Sequence, residues 1–168
     1  SAMNNDIEIR QGWYWPKSDA RCWNYMLKYH DLPQRIRSHV SKFETMVQAG
    51  GNAGFYTKQY SEMFDRVYSF EPDHLNFACL CLNVSGDNTV KMQACLGDQH
   101  GLVGLNINEI NRGKTHVSGR GMIPVLMIDD LRLDQCDLIH LDVEGFEFFA
   151  LNGSVETIKK HKPTIVVE

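Results

Sequence analysis

The sequence predicts an α/β fold built on a mostly parallel sheet with helices on both faces. Two observations carry that reading. Short apolar runs alternate with helical patterns from Thr45 to Glu168, the arrangement that buries a parallel sheet on both sides. A glycine turn, Ala49-Gly50-Gly51-Asn52-Ala53-Gly54, directly follows the first run, and an acidic residue, Glu71, closes the second. In such sheets ligands bind beyond the carboxyl ends of the strands, which is where these residues fall.

The elements follow in order. Trp13-Tyr14-Trp15-Pro16 is an aromatic cluster, and Ser18 or Asp19 caps a helix running to about His30. Cys22, Trp23, Met26 and Leu27 share one face of that helix. Leu32-Pro33 breaks it, and a shorter helix carries Ile36 and Val40. Residues 1–44 therefore read as an N-terminal helical extension on a main domain over 45–168. In that domain Thr45–Ala49 is the first strand, and the helix after it carries Phe55, Tyr56, Tyr60, Met63 and Phe64. Arg66–Phe70 is the second strand, Asp73–Asn83 a helix and Thr89–Cys95 the third strand. The glycine-rich stretch 97–121 reads as loops with a short strand near Leu102–Ile107. Asp137–Asp142 is the fourth strand, a helix follows Glu144, and Pro163–Val167 is the fifth strand.

Composition narrows the class. The 168 residues are 43% hydrophobic and 23% charged, which is globular usage and not that of a disordered or fibrous chain. No apolar run approaches the ~18–20 residues of a membrane helix, and no secretory leader opens the chain, so the reading is a cytoplasmic protein. Ser1-Ala2 ahead of Met3 reads as a cloning remnant. The net charge is −4, with the negative excess after residue 45, which argues against binding along a nucleic-acid backbone. The five cysteines form no CxxC pair and read as small buried hydrophobes, with no metal site expected.

The chemistry gathers at three places. Glycine at 50, 51 and 54 lets the backbone bend sharply and approach a ligand. A dinucleotide GxGxxG would need glycine at 50, 52 and 55, but Asn52 and Phe55 stand there. Glu71, in Phe70-Glu71-Pro72, lies 21 residues after Gly50 and is placed to accept both hydroxyls of a ribose. The third place is Asp137-Leu138-Ile139-His140-Leu141-Asp142-Val143-Glu144-Gly145-Phe146-Glu147, whose strand delivers Asp142 and Glu144 beside the glycine turn.

At this point the sequence resembles the FkbM family of S-adenosylmethionine-dependent methyltransferases. The resemblance rests on Val47 to Gly54, on Phe70-Glu71-Pro72 with Asn76 and Asn83, and on Asp137 to Glu147. Ile128-Asp129-Asp130-Leu131 and Pro163 to Glu168 also match, so the likeness covers about residues 45–168. Two positions depart from the family pattern. Gln48 replaces the acid of the first strand, and His140 replaces the lysine of the fourth.

The resemblance implies a Rossmann-like class I methyltransferase sheet in the order 3-2-1-4-5, with the last strands missing. Truncation or a minimal variant accounts for that; a second copy covering the strand-five edge is the alternative. It further implies S-adenosyl-L-methionine as cofactor, held by Gln48, Ala49, Gly50, Gly51, Asn52, Gly54 and Phe55. Glu71 and Pro72 would hold the ribose, Leu96 and Asp98 the adenine, and Asp142 the sulfonium end. The implied reaction is O-methylation of a sugar, glycan or other small hydroxyl acceptor by direct displacement. Asp142, Glu144 and His116 are the candidate bases. His100 and His140 are weaker candidates, since His140 lies inside a strand. The Asn111–Gly121 segment, with Arg112, Lys114 and Arg120, either closes over the acceptor or is a solvated loop. The alternative to an enzyme is an S-adenosylmethionine-binding module without turnover, acting in assembly or regulation.

Overall fold

A computed structural model describes residues 5–168; Ser1-Ala2 lies outside the described residues. The N-terminal segment opens with an antiparallel hairpin, β1 (Ile7–Arg10) and β2 (Trp13–Pro16), where the sequence reading had helices alone. Gln11 and Gly12, at φ 48° and 84°, make the turn between them. The alternation in Trp13-Tyr14-Trp15 explains the strand. Trp15 is buried and stacks edge-on against Trp23, while Tyr14 is exposed. Helix α1 (Arg21–Lys28) follows, capped by Asp19, whose carboxylate accepts from the Cys22 and Trp23 amides and from Trp15 Nε1. Pro33 stands in the first turn of the next helix, α2 (Leu32–Arg37).

The main sheet begins with β3 (Thr45–Ala49), followed by α3 (Phe55–Met63), β4 (Arg66–Phe70), α4 (His74–Asn83) and β5 (Thr89–Met92). The predicted third strand divides here. After Met92 the chain leaves the sheet, and β6 (Cys95–Leu96) joins a small second sheet instead. The loop region contributes β7 (Gly101–Val103), β8 (Leu105–Asn106), β9 (His116–Val117) and β10 (Ile123–Leu126). β10 lies between β6 and β7, and β8 pairs with β9. The chain then re-enters the main sheet as β11 (Leu138–Leu141), crosses over through α5 (Glu147–Asn152) and α6 (Val155–His161), and ends in β12 (Thr164–Val167). The order β12-β11-β3-β4-β5, parallel throughout, is the predicted 3-2-1-4-5.

The two central strands are buried at nearly every position because both sheet faces are covered. Met46, Val67 and Leu138 pack on one face with Trp23, Tyr60 and Phe64. Val47, Phe70, Ile139 and Leu141 pack on the other with Ile128 and Ala150. Each large apolar side chain buried this way contributes about 1.5–3 kcal/mol. One polar row interrupts the first face. Ser69, Gln48 and His140 are register partners on three adjacent strands, and all are buried. Helix α3 satisfies them. Thr57 Oγ1 and Ser69 Oγ donate to Gln48 Oε1 at 2.6 and 3.0 Å, and Tyr60 Oη meets His140 Nδ1 at 2.7 Å. Left unpaired, such groups would cost about 1–3 kcal/mol each.

Several motif residues are structural fasteners. Asp137 accepts from the Glu44 and Thr45 amides and pins the start of β3 beside β11. Asp129 accepts from the Glu156 and Thr157 amides and so caps α6 from a distance. Asn83 donates to the carbonyls of Ala53 and Tyr14, joining the glycine turn to the hairpin.

Candidate functional site

The glycine turn sits at the carboxyl end of β3. Gly50 and Gly51 donate to the Phe70 carbonyl, which folds the chain back over β4. Gly50 has φ 89°, and a Cβ there would collide with the carbonyl of Asp142. Only glycine lets the two strand ends come this close. Asn52 takes φ 50°, which asparagine tolerates better than most side chains. Its amide donates to Glu71 Oε1 at 2.8 Å, and the Asp73 amide donates to Oε2 at 2.8 Å. Glu71 is thereby fixed, with lone pairs to spare on both oxygens. Burial pushes its carboxyl up to about 8, against the pull of those two amides.

These residues line an open cleft. Ala49, Gly50, Asn52, Glu71 and Pro72 line it together with Leu96, Phe146, Asp142 and Glu144. Leu105, Thr115, His116 and Val117 close it from the β8–β9 side. Thr115 Oγ1 is the one buried side-chain oxygen or nitrogen without a hydrogen-bond partner among the described residues.

The closing segment is anchored by Arg112. Its guanidinium makes two bonds to Asp73, at 2.8 and 3.0 Å, and its amide donates to Asp19. Both side chains are buried. Of the three cations counted in this segment from the sequence, Arg112 is therefore a fastener. Asn76 reinforces it by donating to the Arg112 carbonyl.

A second cavity shares Asn52, Gly113, Asp142 and Glu144 with the first. Cys22, Tyr25 and Met26 of α1 line it, with Asn111, Lys114 and Glu168. Here Glu168 Oε2 meets His140 Nε2 at 2.9 Å and Oε1 accepts from Tyr25 Oη at 3.2 Å. Asp142 stands beside it, at the end of the adjacent parallel strand. Burial, then the neighbouring Glu168, holds Asp142 above the ordinary carboxylate range. Burial also pushes Glu168 up, but bonding to His140, Tyr25 and Asp142 outweighs it and holds Glu168 below its ordinary value.

Of the residues read from the sequence, Ala49, Gly50, Asn52, Glu71, Pro72, Leu96, His116, Asp142 and Glu144 line the first cleft. Others stand elsewhere. The Gln48 side chain is turned under the glycine turn to Thr57 and Ser69, away from the cleft. Gly51 faces Ser69 and Leu80, Gly54 faces Leu80 and Val84, and Phe55 packs against Trp13. These four shape the turn from behind. Asp98 lines a different cavity with His100 and Phe149, beyond Phe146. It is displaced because Gly97 donates to Leu126 of β10 and so leads the chain away from the main sheet. Sequence reasoning missed Thr115 and Tyr25. It did group Asp142, Glu144 and Glu168, and these three line the second cavity together.

The family model described as the FkbM methyltransferase domain matches residues 48–168. The solved methyltransferase FkbM of Methylobacillus flagellatus KT aligns at 24% identity and a TM-score of 0.54, over 78% of this chain and 35% of its own. The precorrin 8W decarboxylase of Methanobacterium thermoautotrophicum aligns at 14% identity and a TM-score of 0.47, over 82% of this chain and 61% of its own. This chain thus spans about a third of the length of the first of these structures. No curated protein sequence matches. The match across most of the chain, on a parallel sheet in the predicted order, establishes that this protein belongs to the FkbM methyltransferase-domain family.

Proposed function

We propose that the protein transfers a methyl group from S-adenosylmethionine to a hydroxyl of a small-molecule or glycan acceptor. The observation that carries this reading is Glu71, buried at the end of β4 with both oxygens steered by backbone amides and lining the first cleft. Such a carboxylate has spare lone pairs for two vicinal ribose hydroxyls. The unpartnered Thr115 Oγ1 and the apolar Leu96 and Phe146 suit a nucleoside in the same space. When bound, S-adenosylmethionine supplies a methyl group already activated by its sulfonium. The chain's own residues then bind and orient. The glycine turn and Asn52 border the methionyl side, and Asp142 faces the junction of the two cavities. A hydroxyl in the second cavity lies within the reach of Asp142, Glu144 and Glu168, and alignment there supplies most of the rate.

The test is calorimetric binding of S-adenosylmethionine and S-adenosylhomocysteine, followed by a methyl-release screen across sugars, glycans and other hydroxyl compounds. Binding that drops at least tenfold in Glu71→Ala, with turnover on one acceptor class, is the expected result. Wild-type affinity retained in Glu71→Ala would remove the site from this cleft. Tight binding with no turnover on any acceptor would favour the non-catalytic module.

A further inference from the structure

Residues 105–120 cross the first cleft as a strap fixed at both ends. Four of them, Leu105, Thr115, His116 and Val117, line the cleft. At the neck, where the strap leaves β7 and returns to β10, a Cβ on Gly121 would collide with Gly104 Cα, and one on Gly104 with the carbonyls of Ser118 and Arg120. The two arms therefore meet backbone to backbone, without side-chain packing, and such a neck is where a lid flexes. At the tip the ties are polar. Arg112 is bound to Asp73 and Asp19, and the Ala20 and Arg21 amides donate to the Ile110 carbonyl. When the tip lifts as a unit, Arg112 and Asp73 both return to water, so neither charge is stranded. The main-sheet side of the cleft has no such freedom, because Ala49 and Phe70 end paired strands of the parallel sheet. With the strap down, the cavity beneath it holds about 30 Å³, room for about one or two water molecules. A nucleoside cannot enter that space unless a wall moves.

We propose that residues 105–120 are a gate for the methyl donor, with Arg112 as its latch. The tip lifts from Asp73 and Asp19, the strap swings about the Gly104–Gly121 neck, the donor enters, and the tip latches again with Thr115 and His116 over it. This rests on the methyl-donor reading above. A gate makes a kinetic demand that a fixed wall does not. Entry and exit share one barrier, so a strap held down slows both and leaves the affinity nearly unchanged. A strap that only shaped the site would, when disturbed, change the affinity, chiefly by faster release.

The test is a reversible staple at the tip. A Cβ on Gly113 would stand 3.6 Å from Cys22 Cβ and 3.0 Å from its Sγ, the spacing of a disulfide. Gly113→Cys is oxidised with diamide, which takes up the two electrons and two protons of the thiols, and the bond is confirmed by mass spectrometry. Tritiated S-adenosylhomocysteine bound before oxidation is chased with unlabelled ligand, and its uptake is timed on protein oxidised beforehand. Relative to the reduced form of the same variant, both rates should fall roughly tenfold or more, recover in dithiothreitol and leave Kd within about threefold. Equal rates in the two forms, release that quickens on oxidation, or failure of the disulfide to form overturns the gate while leaving the donor reading intact. Hydrogen exchange on the parent chain needs no variant. Amides of residues 105–117 should gain roughly tenfold or more protection when S-adenosylhomocysteine binds, and unchanged exchange there overturns the gate. A parent chain that binds neither S-adenosylmethionine nor S-adenosylhomocysteine overturns the donor reading itself, and the gate with it.

Discussion

Removing the hydroxyl of Thr115 should make the ligand-free protein more stable and weaken its hold on ligand. Thr115 Oγ1 is buried and unpartnered, and it lines the first cleft. A hydroxyl held this way costs about 1–2 kcal/mol, which Thr115→Val recovers because the shape is kept. For a chain of this size that is a rise in Tm of roughly 2–6 °C. Bound ligand would supply the missing partner, worth about 0.5–1.5 kcal/mol, so affinity for S-adenosylhomocysteine should fall roughly 2–12-fold. Thr115→Ser keeps the hydroxyl and should restore affinity. Scanning calorimetry without ligand and titration calorimetry with it give the two numbers. A variant that melts lower than the parent and binds with unchanged affinity would refute the reasoning, because the hydroxyl would then have been satisfied in the free protein.

Gly50→Ala should abolish binding or folding, since its Cβ would strike the Asp142 carbonyl at a φ of 89°; a well-folded variant by circular dichroism with full affinity would contradict this. Arg112→Met leaves Asp73 buried without its cation and should cost about 3–5 kcal/mol, a drop in Tm of roughly 10 °C or more. A loss under 1 kcal/mol in urea unfolding would mean that the pair opens to water. Glu71 offers a pH signature. Its carboxyl is raised on folding from 4.5 to about 8, so its contribution is complete below 4.5 and is lost as pH rises through 8. Stability of the ligand-free protein should therefore fall across that window, and Glu71→Gln should flatten the fall. Parallel urea curves for the two proteins from pH 4.5 to 8 would count against it.

The main sheet was legible because its strands are continuous apolar runs punctuated by glycine and acid. Thr45–Ala49, Arg66–Phe70 and Leu138–Leu141 announce themselves by composition. The hairpin of residues 7–16 was not, because its four-residue strands are short and Trp13-Tyr14-Trp15 reads equally as a packed aromatic cluster. The division of the third strand was hidden for a similar reason: Gln93 and Ala94 carry no turn signal, and pairing of Cys95–Leu96 with Val125–Leu126 is a long-range event. In the site, Gly50, Asn52 and Glu71 were readable from position at strand ends. Thr115 was not, because its value comes from a missing partner, which no local pattern records. The anchoring of Arg112 was not readable, because the aspartates that hold it, Asp19 and Asp73, lie far away in sequence.

Asn83 has a consequence for anyone who trims or tags the front of this chain. Its amide holds Tyr14 with one hand and Ala53 with the other. The opening hairpin is thus wired to the bend that borders the cleft, and is no detachable ornament. A fusion or deletion that disturbs residues 13–16 would be felt as weakened ligand capture some forty residues downstream, with every lining side chain still present.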